Sequence, residues 1–212
     1  MLTFQEEGHI YRWDDKIVPS VTQIIGEWIT FPTFAYNIYT KQSIDIDRFI
    51  TARETGKELH ALAKKMVQGE EEFSSIPSEL MLPIYEYKKW IADYHVKPIH
   101  IETPIFSKKL NVAGTPDLIC RIMNDDSRIA LVEIKTGLIN EMARVQLATY
   151  KYLARNYYQE QRAIDIYELI LPRSGKPYKF KKHEQKYIVD FELEFFMSRL
   201  SQFNFLERRR KK

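Results

Sequence analysis

The sequence is poor in the residues that would indicate a disulfide scaffold, a metal–sulfur protein or a membrane protein. It has one cysteine among 212 residues, so it can form neither an internal disulfide nor an iron–sulfur cluster with four cysteine ligands. That residue, Cys120, lies in an apolar segment and is expected to be buried. No stretch is apolar enough to span a bilayer, and the acidic start of the chain argues against a mitochondrial presequence. We therefore expect a soluble protein that is not secreted.

A strong excess of charge is also missing. The net charge is +3, which excludes neither nucleic acids nor small molecules as ligands. Hydrophobic residues make up 44% and aromatic residues 13% of the chain, as in folded globular proteins. The length suits one large domain, or a core with a helical elaboration. The chain ends in five basic residues, 208–212, which form either a solubilising end or a nonspecific contact to phosphates.

Residues 118–123 and 129–135 have the apolar and β-branched composition of strands. The turn-forming residues 124–127 separate them, so a β-hairpin is predicted. In a strand, residues i and i+2 face the same side, so Glu133 and Lys135 point one way and Ile134 points into the core.

The hairpin can bring Asp117 beside Glu133. Two carboxylates and an ammonium group at one sheet edge are costly to assemble unless a cation lies between the carboxylates. This arrangement suits Mg²⁺ or Mn²⁺ and the hydrolysis of phosphodiesters. The alternative is a solvated strand face on which Glu133 forms a surface ion pair.

Four motifs in order resemble the PD-(D/E)XK nuclease superfamily, in its RecB-like branch. Pro116-Asp117 and Glu133-Ile134-Lys135 match the motif that names the superfamily, Gln146 to Tyr150 match Q-x-x-x-Y, and Gly56 to His60 match G-x-x-x-H. Residues 18–22 resemble a segment of small phage and mitochondrial single-strand exonucleases. The resemblance covers roughly residues 17–170.

The resemblance implies an α/β fold with a restriction-endonuclease-like αβββαβ core, in which helices flank a central mixed sheet. Residues 1–95 would form an N-terminal hairpin and helical region that contributes His60. Residues 96–212 would form the catalytic core with a C-terminal helix and basic tail, in one compact unit. The predicted helices are 20–28, 45–67, 78–94, 140–157 and 184–206, and the predicted strands are 2–5, 9–13, 99–107, 113–123, 128–135, 165–171 and 178–182.

The resemblance also implies roles for single residues. Asp117, Glu133 and the carbonyl oxygen of Ile134 would bind the metal, and Lys135 would hold the attacking water or stabilise the transition state. His60 would be an additional ligand, which favours Mn²⁺, or else a structural helix residue.

Other candidates surround this set. Gln146 and Tyr150 share one helix face, from which the amide could orient Lys135 and the phenol could contact a phosphate, unless Tyr150 belongs to the core. Glu102 is a candidate accessory acid. Ser20 and Thr22 stand at a helix start that could bind phosphate, although Ser20 could equally be an N-cap. Further candidates for nucleic-acid binding are Lys64, Lys108, Arg208, Arg209, Arg210 and the aromatic residues Trp28, Phe31, Phe34, Tyr36 and Tyr39, which could instead be core residues.

The sequence thus predicts a metal-dependent deoxyribonuclease, an exonuclease that prefers single strands and acts in recombination, repair or phage DNA processing. Its location would be the cytoplasm of a bacterial or phage-infected cell, with recombination or replication proteins as partners. The alternatives are a structure-specific endonuclease and a nucleic-acid-binding module whose nuclease site is inactive.

Overall fold

The structure, a computed structural model, describes residues 1–26, 46–70, 76–136, 141–174, 176–183 and 186–210, with the backbone alone for 46–53, 141 and 186–189. The strands are β1 (Leu2–Gln5), β2 (Ile10–Trp13), β3 (Lys16–Val18), β4 (Lys97–Ile101), β5 (Ile105–Ser107), β6 (Val112–Gly114), β7 (Leu118–Arg121), β8 (Arg128–Lys135), β9 (Ala163–Ile170) and β10 (Lys179–Lys182). The helices are α1 (Val21–Gly26), α2 (Ile46–Val67), α3 (Met81–Asp93), α4 (Glu141–Tyr157) and α5 (Lys186–Arg210), and a 3-10 turn (Ser78–Leu80) precedes α3.

A mixed five-stranded sheet with the strand order β10-β9-β8-β7-β4 forms the centre of the protein. β8 and β9 are parallel, and the other neighbouring strands are antiparallel. Parallel neighbours need a crossover connection, and α4 provides it. The prediction of an α/β fold with a central mixed sheet flanked by helices is therefore confirmed.

Different helices cover the two faces of this sheet, and the alternation along β8 separates the two cores. Leu131 packs with residues of α4 and α5, such as Leu153 and Phe196. Val132 and Ile134 belong to the cluster on the opposite face, which includes Leu59 of α2 and Trp90 of α3. The side chains of Glu133 and Lys135 alternate with Ile134, so they lie on the α4 side of the sheet.

The predictions of unbroken strands at 99–107 and 113–123 are wrong. The first is divided into β4 and β5, and the second into β6 and β7. Glu102 has a positive φ of 41°, which ends β4, and Pro104 and Pro116 lack the amide hydrogen that a continuing ladder needs. β5 and β6 consequently pair in a separate hairpin, while β4 pairs with β7 in the central sheet.

The N-terminal hairpin of β1 and β2 is present as predicted, and β3 adds a third strand that was not predicted. This small sheet is attached to the segment that leads to β7. The Ala113 amide donates to the Pro19 carbonyl oxygen (3.0 Å), and the hydroxyls of Tyr11 and Thr115 share a hydrogen bond (2.8 Å). The division at residues 95 and 96 stays a prediction.

The C-terminal helix extends four residues past its predicted end, to Arg210. In the described part of the chain, no helix combines the length and apolarity that crossing a membrane requires.

Candidate active site

Asp117 and Glu133 meet where β7 begins and β8 approaches its end. Leu118 pairs with Val132, so continuing this antiparallel register by one residue places Asp117 opposite Glu133. The Ile134 amide donates to Asp117 Oδ2 at 2.7 Å. Burial opposes the charge on Asp117, but His60 and Lys135 outweigh it and hold the pKa of Asp117 below its usual value.

Glu133 and Lys135 form an ion pair on the α4 side of the sheet. Lys135 Nζ donates to Glu133 Oε1 at 2.7 Å, and Glu133 is only 2% exposed. Burial and the charge of Asp117 raise the pKa of Glu133 to about 7. Burial disfavours the ammonium group of Lys135, but Glu133 and Asp117 overcome it and raise the pKa of Lys135. The second oxygen, Glu133 Oε2, is buried and finds no hydrogen-bond partner among the described residues.

His60 reaches Asp117 from α2, which covers the opposite face of the sheet. Its Nδ1 lies 3.3 Å from Asp117 Oδ1. The charge of Asp117 raises the pKa of His60 to about 9, against the effect of burial. His60 is therefore an imidazolium at neutral pH in the cation-free protein, and it must lose a proton before it can bind a metal.

A small cleft lies beside His60 and Asp117 and is lined in part by Lys64 and Glu102. Lys64 Nζ lies 3.2 Å from Glu102 Oε2, and the Glu102 amide donates to the Asp117 carbonyl oxygen (3.0 Å). The structure thus brings the candidate accessory acid to the site. Lys64, which is predicted to bind DNA, lies in the same cleft and is the ion-pair partner of Glu102.

Gln146 and Tyr150 lie on one face of α4, and Gln146 Nε2 donates to the Tyr150 hydroxyl at 3.2 Å. Tyr150 belongs to the hydrophobic cluster under α4. Burial, followed by the charge of Glu133, raises the pKa of Tyr150 well above its usual value. This position fits the core alternative better than contact of the phenol with a phosphate.

Ser20 is the N-cap of α1, which was the structural alternative to binding phosphate. Its Oγ accepts the Gln23 amide at 3.0 Å and lies 3.1 Å from Thr22 Oγ1. Ser20 is buried, so its hydroxyl is used within the protein. The predicted aromatic contacts to bases lie outside the described residues: Trp28, Phe31, Phe34, Tyr36 and Tyr39.

The other basic candidates, Lys108 and Arg208 to Arg210, do not line this cleft. Lys108 Nζ lies 5.0 Å from the centre of the Trp13 ring, a cation–π contact. Arg208, Arg209 and Arg210 form the last turn of α5, where Arg210 donates to Glu207 Oε1 at 2.8 Å. The first three residues of the predicted basic tail are therefore helical.

Two residues beside this site, Glu168 and His183, are not predicted from the sequence. Glu168 is the register partner of Glu133 on β9 and is 1% exposed. Its Oε2 lies 3.0 Å from His183 Nε2, within hydrogen-bond distance. One signal was available: Glu168 is in phase with the buried Ile164 and Ile166, a position where a carboxylate is unusual.

The donor set fits a hard divalent cation, which prefers carboxylate and carbonyl oxygens. As the side chains stand, no three acidic, histidine or cysteine groups in the described ranges are arranged to hold a metal. Lys135 and His60 instead occupy the carboxylates of Glu133 and Asp117. A cation would therefore have to displace both, and the unpartnered Glu133 Oε2 is the oxygen already free to receive it.

Comparisons with known proteins add little. No family model matches the sequence, and no curated protein matches it. Among solved structures, the chain is similar to a presumed exonuclease from Eubacterium rectale, with a TM-score of 0.44 and 8% identity over 70% of this chain and 66% of that one. It is also similar to an alkaline exonuclease from Laribacter hongkongensis, with a TM-score of 0.30 and 15% identity over 73% of this chain and 84% of that one. The chain thus spans less than two thirds of the first protein, and its function must be inferred from the site itself.

Proposed function

We propose that this protein is a metal-dependent deoxyribonuclease of the PD-(D/E)XK type, which hydrolyses DNA phosphodiester bonds with Mg²⁺ or Mn²⁺. One observation carries the proposal. Asp117, Glu133 and Lys135 meet at one end of two neighbouring strands, and Glu133 keeps a buried oxygen that no described residue uses. An unpartnered buried carboxylate oxygen is destabilising, so its presence beside a second carboxylate favours a cation-binding role.

The residues divide the work of hydrolysis between them. Asp117 and Glu133 would hold the cation, with His60 and the Ile134 carbonyl oxygen as further ligands. When bound, the cation lowers the pKa of the attacking water and neutralises charge on the phosphate oxygens. The Ile134 amide fixes Asp117 Oδ2 (2.7 Å), so this carboxylate needs little rearrangement. Preorganised charge of this kind is effective in transition-state stabilisation.

Lys135 would act after leaving Glu133. Its side chain is 31% exposed, so it is packed over most of its surface and accessible to solvent in part. In the site, it would orient the attacking water or stabilise the negative charge that develops on the phosphate. His60, once it has lost its proton, would complete the ligand set from α2.

The proposed substrate is DNA with single-stranded ends, and the proposed reaction is exonucleolytic, in recombination, repair or phage DNA processing. Lys64 stands in the cleft beside His60 and Asp117, where its charge can attract a phosphate if Glu102 releases it. Such contacts carry no base information, so we expect little sequence preference.

The test is cleavage of end-labelled linear single strands, linear duplexes and circular single strands in Mg²⁺, Mn²⁺ or EDTA. We expect the linear single strands to be shortened from an end in either metal, and all substrates to survive in EDTA. Asp117→Asn, purified in the same way, controls for contaminating nucleases and should be inactive. Cutting of the circular strand would show that the protein is an endonuclease. Absence of cleavage of every substrate would refute the proposal.

A further inference from the structure

A row of three carboxylates runs across β9, β8 and the residue that precedes β7 in the central sheet. Asp117 stands opposite Glu133 by the register of β7 and β8, and Glu133 pairs with Glu168 on β9. Neighbouring strands are about 4.8 Å apart, and register partners share a face, so Glu133 and Glu168 are side by side under α4. Glu168 lies one strand beyond the residues assigned to the proposed reaction.

The hydrogen bonds in this row leave one oxygen unused on each glutamate. Glu133 Oε1 accepts from Lys135, and Glu168 Oε2 accepts from His183. The remaining oxygens, Glu133 Oε2 and Glu168 Oε1, are buried and have no partner in the described part of the chain. The first is explained by the proposed cation, whereas the second has no role in the chemistry derived so far.

Cation binding creates a need for that second oxygen. When the cation takes Glu133, the ammonium group of Lys135 loses its acceptor on a side chain that is only 31% exposed. An unpaired buried charge is strongly destabilising. The charge of Glu168 is among those that raise the pKa of Lys135, so the two side chains are near each other. The unpartnered Oε1 of Glu168 carries negative charge and can accept a hydrogen bond from the ammonium group.

We propose that Glu168, held in place by His183, is a positioning residue that receives Lys135 when a divalent cation takes Glu133. This inference rests on the proposed function, since it requires that the site binds a cation. His183 fixes one oxygen of Glu168 and leaves the other for the ammonium group. Cation affinity should then depend on Glu168 through Lys135, rather than through direct contact with the metal.

The test is a double-mutant cycle on Mn²⁺ affinity, measured by isothermal titration calorimetry without DNA. Glu168→Gln should weaken Mn²⁺ binding by about tenfold, the lower end of the effect of groups that support metal ligands indirectly. Lys135→Met removes the charge that needs a new partner, so adding Glu168→Gln to this variant should change the affinity little. Such coupling is not expected of a residue that only stabilises the fold.

Glu86→Gln is the matched control. Glu86 is also a buried glutamate with a structural hydrogen bond, since its Oε2 accepts the Tyr178 amide at 2.7 Å. It lies on α3, which covers the other face of the sheet, so its substitution should leave Mn²⁺ affinity unchanged. If Glu168→Gln does not fold, as judged by circular dichroism, Glu168→Asp takes its place in the cycle, because it keeps the charge and shortens the reach.

The outcomes separate this inference from the proposed function. Equal loss of affinity in both Lys135 backgrounds would mean that Glu168 acts on the cation itself, and would overturn the inference. Unchanged affinity in Glu168→Gln, with wild-type protein that binds Mn²⁺ and cleaves DNA, would overturn it while leaving the nuclease intact. A wild-type protein that binds no divalent cation would overturn both.

Discussion

Replacing Gly114 with alanine should destabilise the protein, because the new methyl group would collide with Tyr150. Gly114 ends β6, three residues before Asp117. A Cβ atom built at this position lies 2.4 Å from Tyr150 Cε1, whereas carbon atoms in contact are about 3.5–4.0 Å apart. The ring or the strand must therefore move by about 1 Å or more to restore an ordinary contact.

The surroundings determine the size of the effect. Tyr150 is buried in the cluster under α4 and bonded to Gln146, so the ring cannot swing into solvent. Inserting a methyl group into a well-packed core usually destabilises by about 1–3 kcal/mol. For a chain of this length, each kcal/mol lowers the melting temperature by about 2–4 °C.

Gly56→Ala is the control, because the same substitution at this position is expected to increase stability. Gly56 lies within α2, and a Cβ atom there meets nothing within 4 Å among the described residues. Alanine in a helix interior is more favourable than glycine by about 0.5–1 kcal/mol. Gly56→Ala should therefore raise the free energy of unfolding, although Gly56 opens the G-x-x-x-H motif.

Urea unfolding followed by circular dichroism would measure both variants against the wild type. The slope of the transition should stay the same if only stability changes. The double variant Gly114→Ala/Tyr150→Leu should be more stable than the sum of the single effects, because the smaller side chain vacates the space of the methyl group. Wild-type stability in Gly114→Ala would refute the close packing of Gly114 and Tyr150.

Three further predictions concern the site and the basic helix end. Lys135→Ala should lower the cleavage rate by orders of magnitude and keep DNA binding. Lys135→Arg should not restore the rate, because a planar guanidinium does not replace a compact ammonium group. Equal losses in rate assays and binding titrations would instead indicate that Lys135 anchors a phosphate. In cation-free protein, His60 has a pKa near 9 against 6.5 when unfolded, so its contribution is complete below pH 6.5 and is lost as the pH rises through about 9, on the order of 3 kcal/mol. Urea unfolding across this range should show the decline in the wild type and lack it in His60→Gln, and parallel curves would contradict it. Replacing Arg208–Arg210 by glutamine should reduce the salt dependence of DNA binding by about 0.7 in slope per lost contact to a single strand, and an unchanged slope in binding titrations would show that these residues do not touch DNA.

The sequence predicts the hairpin of β7 and β8 well because its signals are local. The alternation in β8 and the turn residues 124–127 are read directly from the chain, and the position of Asp117 beside Glu133 follows from them. The break at Glu102 is different. Its positive φ accompanies a hydrogen bond to the Asp117 carbonyl oxygen, a contact between segments 15 residues apart. Pro104 is a local sign that the strand is interrupted, but the exact position of the break depends on this distant contact.

Glu168 was missed for a related reason. Its neighbour Glu133 is 35 positions earlier in the chain, and the pairing depends on the parallel register that α4 allows. No local pattern carries that register. The roles of Ser20 and Tyr150 were likewise left open, because an N-cap and a phosphate contact use the same atoms, and the choice depends on burial that only the fold determines.

The separation of the two cores by β8 limits how this protein can change in length during evolution. One residue inserted into β8 ahead of Glu133 would turn Glu133 and Lys135 towards the apolar cluster of α2 and α3, and bring Ile134 to the face that carries the site. The exposed turn at residues 124–127 is free of this restriction, since extra residues there leave the strand phase unchanged. Homologous chains that keep the site should therefore differ in length at this turn while the spacing from Arg128 to Lys135 stays constant.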